Sequence, residues 1–296
     1  MKKKRILFLI VCSSLFIFQS CSTTPTYPLT KKVSQVDLLY EVKIEDPYRW
    51  LEDFNSKETQ AWVDDQNKLT KKYISKNKYR KKIKKDLEAI WTGESKSIPT
   101  IRGEKTFFYF NDGTWQQSKF MVQKCLACAA ELLIDPNNFS NDGTVSLSSV
   151  SISPNGEYVA YSVSDGGSDW KTWKIIRVRD KKILKDEIQW TKFSSGSWES
   201  DNSGFYYQKY PKPKGDALSD INRAPQLFFH QIGTSQNEDK LIYERPDRPN
   251  WSWGIQVTED GLHRLLSVGE GTDERNRLYI KTSNEDSFSP LIDKLE

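Results

Sequence analysis

Histidine is almost missing: the 296 residues contain two, His230 and His263. Chemistry that needs an imidazole base must use one of these or obtain one elsewhere. Methionine is equally scarce, at two, and only four cysteines occur. Cys12 and Cys21 lie in the first 21 residues, which leaves the Cys-x-x-Cys pair Cys125 and Cys128. No second Cys pair or His pair completes a zinc site around it. A redox dithiol would open a helix after a strand, and these flanks do not have that form. The preferred reading is a pair of small residues on a strand or hairpin, joined as a disulfide after export. No metal or cofactor is expected. No Gly-x-Ser-x-Gly string occurs, so the strained elbow that presents a hydrolase serine is not written here.

A charge excess is missing too. The formal +4 comes from 44 Lys+Arg against 40 Asp+Glu, and Lys2, Lys3, Lys4 and Arg5 account for all of it. The remainder is balanced, which argues against a nucleic-acid partner. Mean hydropathy of −0.69 excludes a multi-span membrane protein. The apolar run at residues 6–18, broken only by Ser13 and Ser14, is shorter than the roughly 20 residues a spanning helix needs. With its basic start, it reads as an export signal over residues 1–20. The small residue Ser20 precedes Cys21, as in bacterial lipoproteins, whose lipidated N-terminal cysteine anchors them to the membrane; a plain signal peptide and an uncleaved anchor are the alternatives. The expected location is the periplasmic side, membrane-anchored through Cys21. Residues 21–35 are expected to form a tether.

What is present is aromatic. Ten Trp, 13 Tyr and 14 Phe are too many core formers for a disordered chain. A helix is expected from Asn55 or Ser56, with Asn55 and Glu58 as a capping box. Trp62, Leu69, Tyr73 and Ile74 fall on one stripe. A second helix is expected over 77–92, where Tyr79, Ile83, Leu87, Ile90 and Trp91 share a face and Gly93 is a stop. Trp50 and Trp62 fit buried anchors. Between Lys71 and Lys85 there are nine basic residues and no acid. The run is read as the solvated face of a helix with its other face buried, with anionic lipid or nucleic acid as the alternative. Asp64-Asp65 is not an acid/base pair, because helix neighbours diverge by about 100°.

From about residue 97 the period becomes two. Strands are expected at 106–110, 119–123, 158–163, 172–178, 205–208, 226–230, 240–243, 262–268 and 277–281, bounded by Gly- and Asn-rich turns. The segments beginning at Ser151, Gly196 and Ile255 repeat a strand–turn–strand pattern at about 45–60 residues, close to one four-stranded propeller blade. About 200 residues allow about four blades. Trp251 and Trp253 are assigned to blade core. Ser168, in Gly166-Gly167-Ser168-Asp169, falls between two strands rather than before a helix. His230 and His263 read as strand or surface histidines.

The string Asp46-Pro47-Tyr48-Arg49-Trp50-Leu51-Glu52-Asp53, followed by Glu58-Thr59, Trp62-Val63 and Gln66-Asn67, resembles the N-terminal signature of the prolyl oligopeptidase family. The likeness continues through Asp135-Pro136-Asn137, Asp142-Gly143-Thr144-Val145, the segment from Ser153 to Tyr161, Gly167-Ser168-Asp169-Trp170 and Asn276-Arg277-Leu278-Tyr279. Oligopeptidase B matches the first string less well. The resemblance implies a mainly β chain. A helical segment at 36–95 would pack on an α/β-hydrolase domain, and an incomplete propeller of about four of seven blades would fill 96–296. In that family the propeller restricts entry to short peptides, and Ser, Asp and His of the hydrolase domain cleave after proline. Here the hydrolase domain is expected to be absent, with the triad beyond residue 296, so the chain alone is expected to be inactive. The alternatives are a non-catalytic propeller lipoprotein that binds peptides or a partner, and one half of a split peptidase.

Overall fold

Period-two alternation has its clearest consequence between Phe205 and Tyr207. Phe205 and Tyr207 turn to one side of their strand and Tyr206 to the other, and all three are buried. The computed structural model describes residues 25–295 except 126, 216, 218 and 219. It divides into two compact units, one ending at Ile90 and the other starting at Trp91.

The first unit pairs β1 (Val36–Leu39) with β2 (Val42–Glu45), then runs through a short 3-10 turn (Arg49–Glu52) into α1 (Lys57–Ser75) and α2 (Arg80–Trp91). The helix cap differs from the expected box. Ser56, not Asn55, is the N-cap, and its hydroxyl accepts the Thr59 N–H at 3.1 Å. Glu58 instead pairs with Lys31 at 2.9 Å. The signature residues act by local bonding: Arg49 Nε donates to Asp46 at 2.7 Å, and Thr59 Oγ1 donates to the Trp50 carbonyl at 3.1 Å. Trp50 and Trp62 are half-buried rather than buried. Their indoles donate to the Lys31 carbonyl and to Thr30 Oγ1. The apolar stripe of α2 is exposed throughout, from Ile83 at 51% to Trp91 at 75%. Periodicity shows that a helix is amphipathic; it does not show what covers it.

The second unit is four antiparallel sheets in chain order. The first contains β3 (Ser95–Lys96), β4 (Thr100–Arg102), β5 (Lys105–Asn111), β6 (Lys119–Gln123) and β7 (Ala130–Ile134). The second contains β8 (Ser146–Ile152), β9 (Tyr158–Ser164), β10 (Lys171–Arg177) and β11 (Lys182–Thr191). The third contains β12 (Ser197–Trp198), β13 (Gly204–Lys209), β14 (Gln226–Gln231) and β15 (Lys240–Glu244). The fourth contains β16 (Trp251–Val257), β17 (His263–Glu270), β18 (Arg277–Thr282) and β19 (Ser289–Ile292).

Each sheet is an up-and-down meander, so both faces of an inner sheet must be covered by neighbours. Val159, Tyr161, Ile176 and Val178 pack against Phe107, Phe120 and Val122 of the first sheet. Ala160, Trp173, Ile175 and Ile188 point the other way, onto Trp198, Phe205 and Tyr207. Trp251, Trp253, Leu266 and Val268 meet Tyr206 and Leu227 in the third interface. Each fully buried large side chain contributes about 1.5–3 kcal/mol of apolar transfer. These are four propeller blades, with Trp251 and Trp253 in the blade core.

The repeat is regular in space. Trp198 Nε1 donates to the Ser151 carbonyl, Asn155 N to Asn202, Gly233 N to Asp186, and Trp170 Nε1 to the Ala217 carbonyl, all across 47 residues. Equivalent positions of successive blades are thus tied directly together.

Candidate functional site

The first strands of the four blades converge on one cavity of about 390 Å³. Arg102 and Gly103 come from the first blade, Ile152 and Pro154 from the second, Trp198 and Ser200 from the third, and Val257 and Glu259 from the fourth. Tight turns bring these elements close. Asn202 adopts φ +65° and accepts the Asn155 amide at 2.9 Å. A side chain at Gly103 would lie 2.7 Å from the Asn155 carbonyl oxygen, so the first two blades meet here backbone to backbone. The lining mixes one cation, one anion, hydroxyls and apolar side chains, as expected of a site for a small polar chain.

At the other end of the strands, Trp190 and Phe193 have φ of +62° and +50°, a conformation bulky residues rarely adopt. Phe193 is 66% exposed, whereas Lys192 beside it is buried with its ammonium 4.0 Å from the Trp170 ring. Burial pulls the Lys192 pKa down against the opposing charge of Asp169. An exposed aromatic held on strained backbone is a ligand-contact candidate. No sequence signal marked this segment, because nothing in Trp-Thr-Lys-Phe foretells positive φ.

His230 sits on β14 as expected, but it is fully buried rather than at the surface. Nδ1 lies 2.7 Å from Asp239 Oδ1 and Nε2 lies 3.0 Å from Asp186 Oδ1. Asp239 also accepts the Tyr207 hydroxyl at 2.6 Å. Burial alone would lower the His230 pKa, but the hydrogen bonds and charges of the two carboxylates prevail and push it up to about 9. With both ring nitrogens engaged by carboxylates, the ring has no lone pair for a nucleophile. It is a structural imidazolium.

The remaining residues singled out do not converge. Ser168 lies in the β9–β10 loop and its hydroxyl accepts the Trp170 amide at 3.1 Å. His263 opens β17 and bonds Thr258 through its backbone. Among the described residues neither makes a Ser–His pair. Cys125 and Cys128 form a disulfide between β6 and β7, with S–S 2.04 Å. Cys21 lies outside the described residues.

Sequential antiparallel sheets packed face to face, with one segment of each lining a shared cavity, define a β-propeller module. The family described as "Prolyl oligopeptidase, N-terminal beta-propeller domain" matches residues 27–296, and the chain belongs to the prolyl oligopeptidase family. It is 41% identical over 268 residues to a prolyl endopeptidase of Elizabethkingia meningoseptica, covering 90% of this chain and 38% of that protein. It is 33% identical to prolyl oligopeptidase A of Amanita bisporigera, covering 89% and 39%. A solved prolyl endopeptidase structure superposes with a TM-score of 0.82 at 26% identity, covering 91% of this chain and 40% of that one. Prolyl oligopeptidase B from Galerina marginata, bound to a 25mer macrocyclization substrate, gives 0.78 at 26% identity, with 92% and 42% covered. The chain therefore spans about two fifths of the length of the relatives it matches.

Proposed function

We propose that this chain is the substrate-gating part of an exported serine peptidase that cleaves short peptides after proline. The propeller admits the peptide, and an α/β-hydrolase domain supplies the Ser, Asp and His. The observation that carries this reading is the pairing of a four-blade cavity with histidines that reach no nucleophile. Among the described residues, His230 is committed to two carboxylates and His263 bonds Thr258 through its backbone. The cavity admits a short extended peptide rather than a folded protein. Phe193 is the proposed aromatic contact for an apolar peptide side chain.

The test is complementation. The chain is co-expressed with the hydrolase domain of the Elizabethkingia meningoseptica relative, and cleavage of a short proline-containing chromogenic peptide is measured. Cleavage that needs both chains supports the reading. A stable complex with no cleavage, together with peptide binding by this chain alone, would favour a non-catalytic propeller. We also propose lipid attachment at Cys21 and residence on the periplasmic side of a membrane. Labelled palmitate should enter the wild-type chain and not Cys21→Ser.

A further inference from the structure

Every residue from Lys71 to Lys85 is exposed, and nine of them are Lys or Arg with no acid among them. Lys84 meets Glu88 at 3.4 Å. The other eight cations have no carboxylate within ion-pair distance among the described residues. They run from the last turns of α1, through the short connection at Lys76 to Tyr79, into α2. The two helix ends and their connection thus carry a dense run of exposed cations. Beyond the leader and this run, acidic residues outnumber basic ones, so the cations of the chain are concentrated here.

Exposed Tyr73 and Tyr79 stand among the cations. Amphipathic side chains beside Lys and Arg suit the headgroup layer of a bilayer, where the ring sits at the boundary and the ammonium remains in water. Fourteen residues lie between Cys21 and Val36, where β1 begins. Fully extended, such a segment reaches about 50 Å. An anchor at Cys21 would hold this unit within reach of the lipid surface. The acidic excess of the rest of the chain beyond the leader disfavours nucleic acid as the occupant.

We propose that the Lys71–Lys85 surface docks on the anionic headgroups of a phospholipid bilayer and orients the protein on the membrane. This inference is independent of the peptidase reading and does not require lipid on Cys21. Each Lys near such a surface contributes on the order of fivefold in binding.

The experiment compares full-length Cys21→Ser protein with the same chain carrying Lys78→Gln, Lys81→Gln, Lys82→Gln and Lys85→Gln. Both keep the leader, so its own affinity for lipid cancels. Co-sedimentation is measured with phosphatidylcholine vesicles, with and without phosphatidylglycerol, at low and high salt. The expected result is binding that needs phosphatidylglycerol, weakens steeply with salt, and falls on the order of several hundredfold in the four-site variant. Equal binding to both vesicle types, or salt-independent binding by the parent chain, overturns the proposal even if the variant fails to fold. A folded variant that binds as well as the parent also overturns it. So does release of the parent chain from vesicles by a polynucleotide at equal phosphate, which would make nucleic acid the partner.

Discussion

His230 Nε2 and Asp186 Oδ1 lie 3.0 Å apart although the two residues belong to different blades, His230 on β14 and Asp186 on β11. Asp186 also accepts the Gly233 amide at 2.6 Å. Asp239, which follows a short 3-10 turn, closes the other side of the ring. The one fully buried histidine is therefore an electrostatic rivet between the second and third blades. This explains why a histidine can be retained here without catalytic work.

The rivet predicts alkaline instability. The His230 pKa is raised from 6.5 to about 9 in the fold. Its stabilisation is complete below about 6.5 and is lost as pH rises through about 9, to a total of a few kcal/mol. Asp186 is shifted down, chiefly by the His230 hydrogen bond acting against its own burial, so its contribution is lost only in acid. The melting temperature of the purified chain should fall across the window from 6.5 to 9. His230→Gln should melt lower and lose the slope in that window. An unchanged slope in the variant would place the alkaline titration elsewhere.

A second inter-blade tie joins Glu199 to Arg264 of β17. The Arg264 guanidinium bonds both carboxylate oxygens of Glu199, and Tyr206 donates to the same carboxylate at 2.7 Å. Removing one partner strands the other charge in a nearly buried place, so Arg264→Ala and Glu199→Ala should each destabilise by about 2–4 kcal/mol. The double variant should lose much less than the sum, because the charges disappear together. Urea denaturation of the three variants measures the coupling, and strict additivity would show that the pair does not interact.

The strands most legible in the sequence were those packed on both faces. The run at 119–123 coincides with β6 (Lys119–Gln123), where Phe120 and Val122 are buried and Lys119, Met121 and Gln123 alternate with them half-buried. β11 was not seen because Lys182 to Glu187 places charges on an outer strand, where one edge meets solvent. The β1–β2 hairpin was hidden by its turn. Tyr40 and Glu41 take φ of +50° and +69° without the Gly or Asn that announces such a turn. The propeller and the family were legible through an ordered series of motifs. The His230 centre was not, because its partners lie 44 and 9 residues away and only blade register brings them together.

Gly204 makes a narrow test of that register. It pairs with Gln231 at the start of β13, and a Cβ there would lie 2.0 Å from the His230 carbonyl oxygen. The obstacle is backbone, which cannot swing aside as a side chain can. Gly204→Ala should destabilise by about 1–3 kcal/mol or more and disturb the His230 centre. In contrast, Gly233→Ala should clash with nothing, and its penalty should come only from its φ of +87°. Equal unfolding midpoints for Gly204→Ala and the wild type would mean that the strand can shift.

Trp173 and Trp198 share the interface between the second and third blades, yet their indoles differ in one respect. Trp198 Nε1 donates to the Ser151 carbonyl at 3.0 Å, whereas Trp173 Nε1 is buried with no partner among the described residues. Replacing either by Phe removes similar volume, so the packing loss is comparable. At Trp173 the change also removes an unpaired donor, which offsets part of that loss. At Trp198 it breaks a bond between blades, adding about 0.5–1.5 kcal/mol. Trp198→Phe should therefore lower the urea midpoint clearly more than Trp173→Phe, at unchanged denaturant slope. Trp173→Ala, which opens a cavity, should cost about 3–5 kcal/mol. If the two Phe variants are equally destabilised, the Ser151 bond contributes nothing to holding the second and third blades together, and packing alone sets the interface.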